Sequence, residues 1–245
     1  MPAPEEEEYV GDIAASVAHS PTLQRLPPGF VPMKRFEAAA RLPYGDAEAL
    51  PAGLPFERPE GSFEARAFGN AVHGFLEMLA KALSEDSDAD ALLRELGNWG
   101  PRITSVLRSD GLSPTSVQRL VPRVLTALKN TLSDPAGLWV LRSHVDAASE
   151  FALTSWVEAR SSVRLDRVFR AGTTPFEEEG DCLWIVDYKT TTHGTEGVEG
   201  FLAKERTKYA PQMEAYARVM KGARVGLYYP MLPRLVWWKP ELETT

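Results

Sequence analysis

The run Cys182-Leu183-Trp184-Ile185-Val186-Asp187-Tyr188-Lys189-Thr190 constrains this chain more than any other stretch. Its apolar half is β-branched and aromatic, which predicts a strand over 182–190. Side chains alternate along a strand, so Ile185, Asp187 and Lys189 share one face, and Trp184, Val186 and Tyr188 share the other. Both faces are apolar at the start, the mark of a central strand covered on both sides. The charges arrive only at its C-terminal end, where a sheet can open into a cleft. An unpaired charge in a core costs on the order of several kcal/mol or neutralises. Asp187 and Lys189 are therefore either an ion pair at a strand end or a metal ligand and its catalytic partner.

The rest of the chain predicts what surrounds that strand. Residues 64–83 lack proline, and Phe68, Val72, Phe75, Leu76, Leu79 and Leu83 recur at helical spacing, so a long amphipathic helix is expected there. "DADALLRELGNWG", "PRITSVLRSDG" and "SPTSVQRLVPRVLTALKNTL" read as further helices. The last opens on Ser113-Pro114, an N-cap followed by proline at the first helical position. Strands are expected at 138–141 ("LWVL"), 150–159, 161–171 and 182–190. A helix follows over "AKERTKYAPQMEAYARVMKG", ending in lysine and glycine. "ARVGLYYP" and "RLVWWKP" read as two final strands. The expected fold is α/β, a central mixed sheet flanked by helices with an added helical region before the sheet. Residues 1–60, rich in proline and small residues, read as an irregular extension or linker, with short helices possible around 11–19 and 34–41. Residues 61–245 then form one domain, helical over 64–133 and carrying the sheet over 137–240.

Composition closes off several classes. The single cysteine, Cys182, excludes an internal disulfide framework, a multi-cysteine zinc cage and a four-cysteine iron–sulfur cluster, and a reducing, cytoplasmic setting is the default. No stretch reaches the roughly 18–20 apolar residues that cross a bilayer, and the acidic "MPAPEEEEYV" start is unlike a secretory signal. No membrane association is expected. The net charge of −7 argues against a general nucleic-acid-coating protein while allowing a local basic groove. Lys204, Arg206 and Lys208 gather in "AKERTKYA" and could steer a strand into a cleft, or simply form a solvated helix face.

Asp166 interrupts the apolar pattern of "VRLDRVF". If 161–170 and 182–190 form a hairpin, Asp166 and Asp187 converge. Two converging carboxylates repel unless a cation lies between them, and oxygen ligands suit a hard ion such as Mg²⁺ or Mn²⁺. The alternative is an exposed Asp187–Lys189 pair with Asp166 paired to Arg164 or Arg167, and spacing by itself favours that alternative. Three further features add to the balance. Gly69, His73 and Glu77 fall at i, i+4 and i+8 on one helix face, with Gly69 allowing a close approach one turn before the histidine. Gln212 and Tyr216 stand at i and i+4 on the later helix. Glu150 is polar at the start of the strand preceding Asp166, and by itself reads as solvent-facing. His193 reads as a loop residue and His144 as a turn residue.

Taken in order, GNAVHGFLE (69–77), VRLDRVF (163–169), IVDYKTT (185–191) and YAPQMEAYARV (209–219) resemble the RecB/AddA branch of the PD-(D/E)XK nuclease superfamily. Each motif is weak alone, and four in order make a specific signal. The resemblance implies a restriction-endonuclease-like core. It implies metal ligation by His73, Asp166, Asp187 and the backbone carbonyl of Tyr188, with Lys189 as the catalytic lysine and Gln212 and Tyr216 completing the site beside DNA. It departs from the family pattern in lacking the glycine that usually precedes the first strand aspartate, and in the long acidic turn "AGTTPFEEEGD". What it implies about function is a Mg²⁺- or Mn²⁺-dependent, exonuclease-type deoxyribonuclease without an iron–sulfur cluster, acting in recombinational break repair on single-stranded DNA or duplex ends. The chain has no Walker A pattern, so a helicase motor is expected in the same polypeptide or in a partner subunit, as in UvrD/RecB/AddA-like helicase–nucleases. The alternative is a catalytically silent nuclease fold for DNA binding or protein docking.

Overall fold

The computed structural model describes residues 62–85, 87–155, 161–194 and 197–241. The helices anticipated around 11–19 and 34–41 lie outside the described residues.

Among the described residues, five α-helices precede the sheet: α1 (Phe63–Ser84), α2 (Ala89–Glu95), α3 (Gly100–Ser109), α4 (Pro114–Ser133) and α5 (Pro135–Leu141). Helix α1 starts because the Ser62 hydroxyl accepts the Ala65 N–H at 3.2 Å, and it buries Phe68, Val72, Phe75, Leu76 and Leu79 along one stripe. Ser113 caps α4 in the same way, accepting the Ser116 N–H at 3.2 Å. Strands β1 (Val145–Ser155), β2 (Ser161–Ala171) and β3 (Cys182–Tyr188) follow, then α6 (Val198–Val219), β4 (Arg224–Tyr229) and β5 (Arg234–Trp238). The sheet runs in the order β1-β2-β3-β4-β5. β3 and β4 are parallel, joined across α6, and the other neighbours are antiparallel. The result is the mixed sheet with flanking helices that the sequence predicts.

The alternation read from β3 holds residue by residue. Trp184, Val186 and Tyr188 enter the core shared with α1–α5, while Leu183 and Ile185 enter the core shared with α6. Trp184 is fully buried, and its indole N–H donates to the Gly172 carbonyl at 2.9 Å. β3 is thus the central plank of the sheet, and its C-terminal end, carrying Asp187, emerges between the two layers.

One expected strand is corrected. Residues 138–141 belong to helix α5. Periodicity cannot separate a buried strand from a buried helical turn in so short an apolar run. The deciding signals lie just upstream. The Asp134 carboxylate accepts the Gly137 N–H at 2.9 Å, and Pro135 occupies the first turn. Gly137 is required by packing, because a Cβ there would stand 2.2 Å from the Tyr228 hydroxyl and 2.5 Å from the Thr131 carbonyl. Strand β1 also begins earlier than expected, at Val145, with a register shift between Val145 and Ala148. Helix α6 begins five residues before the expected Ala203, at Val198.

Candidate active site

The strand register assembles the site. On β1 and β2, Ser149 pairs with Arg167 and Phe151 with Leu165, so Glu150 falls opposite Asp166. On β2 and β3, Arg167 pairs with Val186, so the next position sets Asp166 opposite Asp187. Three carboxylates therefore form a row across three strands. Asp166 is held by two donors. The backbone N–H of Tyr188 donates to its Oδ2 at 2.7 Å, and His73 Nδ1 lies 3.2 Å from its Oδ1. Helix α1 delivers that histidine. Gly69, one turn earlier, faces Thr190, whose hydroxyl a Cβ at 69 would meet at 3.4 Å, an ordinary contact.

Neither arginine beside Asp166 pairs with it. Arg167 turns away to carbonyls of α5, and Arg164 forms an ion pair with Glu150 at 3.0 Å. Lys189 Nζ lies 3.0 Å from Asp187 Oδ2, with only 18 % of the lysine side chain and 23 % of the aspartate side chain exposed. That carboxylate oxygen is buried, and its partner is the Lys189 ammonium. The Lys189 ammonium also sits 3.7 Å above the centre of the Tyr209 ring on α6, a cation–π contact that holds the lysine where it is. Gln212 Nε2 donates to the Tyr216 hydroxyl at 2.8 Å. His73, Lys189, Tyr209 and Gln212 line one cavity of about 580 Å³, with Gly69 and Thr190 in its wall.

The electrostatics follow from crowding. Burial pushes the Asp187 carboxyl above its usual range, and the neighbouring Asp166 charge adds to this against the pull of Lys189 and His73. Burial opposes charge on His73, but the Asp166 and Asp187 carboxylates outweigh it and raise the imidazole to about 9. Lys189 is likewise raised, burial being outweighed by Asp187 and Tyr209, so it is an ammonium at neutral pH. Burial raises the Tyr216 phenol as well.

This is a surplus of acceptors in a partly dry cleft, the electrostatics of a cation site. Ligand atoms of His73, Glu150 and Asp166 lie within 4.8 Å of one another. Asp187 is not in that set, but its carboxyl, raised by burial and by the Asp166 charge even beside Lys189, marks the same demand for positive charge. A donor set of carboxylates with one imidazole fits a hard divalent ion.

Of the residues anticipated from sequence, the structure brings His73, Asp166, Asp187, Lys189 and Gln212 to this cleft, with Tyr216 bonded to Gln212. Arg206 stacks over Trp238 at 5.2 Å and lines a separate cleft between α6 and β5. Lys208 approaches the Tyr209 ring at 4.8 Å, and Lys204 is exposed on α6. Sequence reasoning noted Glu150 without giving it a role and passed over Tyr209. The first becomes significant only through strand register, and the second through the face of α6 that meets β3.

A model of the PD-(D/E)XK nuclease superfamily matches residues 44–240. No curated protein matches the chain significantly. The family match covers most of the sequence, and the mixed sheet with its preceding helices is consistent with the restriction-endonuclease-like α/β fold. The chain belongs to the PD-(D/E)XK nuclease superfamily, whose members are generally dependent on divalent metal.

Proposed function

We propose that this chain is a Mg²⁺- or Mn²⁺-dependent deoxyribonuclease of exonuclease type, acting in recombinational break repair as the nuclease domain of a UvrD/RecB/AddA-like helicase–nuclease. The observation that carries the reading is the carboxylate row over β1, β2 and β3, flanked by His73 and closed by the Asp187–Lys189 pair. The order of the four motifs supports the RecB/AddA branch, and the lack of a Walker A pattern supports a motor located elsewhere.

His73, Asp166, Asp187 and the Tyr188 carbonyl would hold the metal, with Glu150 the additional carboxylate at its edge. When bound, a divalent ion there would neutralise phosphate charge and lower the pKa of a water. The protein's own groups account for the rest. In hydrolysis the water oxygen bonds to phosphorus as one ester P–O bond breaks, and the departing oxygen takes up a proton. Negative charge grows on the phosphoryl oxygens in that transition. Lys189, fixed between Asp187 and the Tyr209 ring, presents an ammonium that offsets it and orients the attacking water. Against burial, Asp187 and Tyr209 raise its pKa, so in the metal-free site Lys189 is an ammonium at neutral pH. Gln212, in the cavity wall and bonded to the buried Tyr216 hydroxyl, would hydrogen-bond the strand's backbone.

The test is cleavage of labelled single- and double-stranded DNA in Mg²⁺, Mn²⁺ and EDTA, alongside Lys189→Ala and Asp187→Ala. Cleavage that needs metal and is lost in both variants is expected. Binding without cleavage under every metal condition would replace this reading with a silent DNA-binding module.

A further inference from the structure

The active-site cavity does not end at the catalytic groups. A second cavity, of about 490 Å³, adjoins it, and the two share Ala65, Thr190 and Thr191 in their walls. The loop leaving Lys189 is thus the common bank of one groove that runs from the catalytic groups onto the face between α1 and α4. Its charge is opposite to that of the chain. Arg66 lines the first cavity, and Arg119 and Arg123, one helical turn apart on α4, line the second. The acidic groups in the two walls are Asp110 and Glu64, and Glu64 is engaged by Arg119 and by the Ser116 hydroxyl. Arg66 and Arg123 are exposed, and the Arg123 guanidinium is steadied 4.7 Å above the Phe68 ring.

The groove also carries an aromatic ring that the fold does not use. Phe63, the first residue of α1, is 52 % exposed and lines the catalytic cavity. Its ring rests beside Gly111, whose positive φ of 85° turns the chain between α3 and α4; a Cβ there would stand 3.8 Å from Phe63 Cζ. An exposed phenyl ring costs free energy in water. Here it stands at the rim of a basic groove leading to the catalytic groups.

We propose that this groove is a strand-binding subsite continuous with the cleavage pocket, in which Phe63 stacks one unpaired base while Arg66 and Arg123 hold flanking phosphates. An aromatic face can take a base only when the base is free of its own stack, so the subsite selects unpaired strand over duplex. Guanidinium groups on phosphates supply sequence-independent, salt-sensitive affinity. The proposal rests on the nuclease reading above only for the identity of the strand as DNA.

The experiment is fluorescence anisotropy of the full chain in EDTA, where metal-dependent cleavage is silent, with a labelled oligothymidylate and a hairpin duplex of equal nucleotide count. Phe63→Ala is expected to weaken oligothymidylate binding on the order of tenfold and to spare the duplex, with Phe63→Tyr restoring most of the affinity. Arg66→Ala and Arg123→Ala should each lower the magnitude of the logarithmic salt slope on single strand by about 0.7, with Arg123→Lys keeping it. Phe63 is solvent-facing, so far-UV circular dichroism of its variants should match the parent. Oligothymidylate binding by Phe63→Ala at the parent affinity, or an equal loss on duplex, overturns the stacking role. Unchanged salt slopes overturn the phosphate path. A protein that cuts no DNA in Mn²⁺ but loses single-strand affinity in Phe63→Ala removes the nuclease reading and leaves the subsite standing. One that cuts DNA but binds equally well without Phe63 removes the subsite alone.

Discussion

Arg167 and Asp187 carry charge into the same sheet from neighbouring strands, Arg167 pairing with the residue just before Asp187, yet the fold satisfies one and leaves the other wanting. Arg167 is 4 % exposed. Its guanidinium donates to the carbonyls of Val140 at 3.1 Å, Leu141 at 3.2 Å and Arg142 at 2.6 Å, and to the Ser149 hydroxyl at 3.1 Å. It closes the last turn of α5, whose carbonyls have no further turn to meet. Asp187, by contrast, has a buried oxygen partnered by the Lys189 ammonium, and its carboxyl is still pushed up by burial and by Asp166. A buried charge with every guanidinium nitrogen engaged holds a fold together. A buried carboxyl that burial disfavours, in a cleft beside two more carboxylates, has the electrostatics of a cation site.

The sharpest way to break this contrast is to remove the charges at the deficient end. Lys189→Ala should lower the rate of DNA cleavage by about 10²–10³-fold, the loss typical of one preorganised charge-stabilising donor. Asp187→Asn should abolish detectable cleavage while leaving metal-free stability in urea unchanged or raised, because it removes a carboxylate that burial disfavours. A stability loss as large as that of an Arg167 variant would erase the distinction.

At the satisfied end the outcome reverses. Arg167→Met leaves three carbonyls and a hydroxyl short of a donor and should cost about 3 kcal/mol in urea unfolding. Molecules still folded should continue to cut DNA. Loss of cleavage in fully folded Arg167→Met would show that the two charges act as one unit.

A finer test uses pH. The His73 imidazole is raised from 6.5 to about 9 in the metal-free protein, because the Asp166 and Asp187 carboxylates outweigh the burial that opposes its charge. A raised histidine contributes stability that is fully present below the unfolded value near 6.5. That contribution is lost as pH climbs through the folded value near 9. Urea titrations in EDTA should therefore show falling stability between those two values, and His73→Gln should flatten the slope. Metal needs the neutral imidazole, so metal affinity should rise over the same interval, measured by calorimetric titration with Mn²⁺. A parent slope that persists in His73→Gln would assign the titration to another group.

The smallest effect lies at the other end of α5. Asp134 caps that helix and also accepts from the Tyr228 hydroxyl at 3.1 Å. Asp134→Ala should cost about 1 kcal/mol in the same unfolding assay, without selective loss of cleavage. A cleavage defect exceeding the stability defect would connect this capping network to the site.

How much of this could be read in advance differs from one element to the next. β3 was legible because its alternation is a property of consecutive residues, and both halves of that alternation enter the expected cores. Helix α1 was legible for the same reason at helical period. Residues 138–141 were misread because four apolar residues fit either period, and the capping aspartate that settles them precedes the run. Motif order put His73, Asp166, Asp187 and Lys189 forward together, and the structure brings all four to one cleft. Glu150 was set aside because nothing within β1 distinguishes it from a solvent-facing residue. Phe63 was unremarkable as the residue opening a helix.

The sequence by itself determined the local elements that hold the site: a strand apolar on both faces ending in Asp-Tyr-Lys, a histidine on an amphipathic helix, and a Gln-x-x-x-Tyr face on another. These are consequences of side-chain period, which depends on neighbours a few residues away. Only the tertiary structure decided which carboxylates stand in one row, that Arg164 and Arg167 turn away from Asp166, and that Lys189 rests on Tyr209. It alone placed Phe63, Arg66 and Arg123 along one groove. Those relations join residues from well-separated parts of the chain, and they exist only after strand register and helix docking have been set by the burial of both apolar faces of β3.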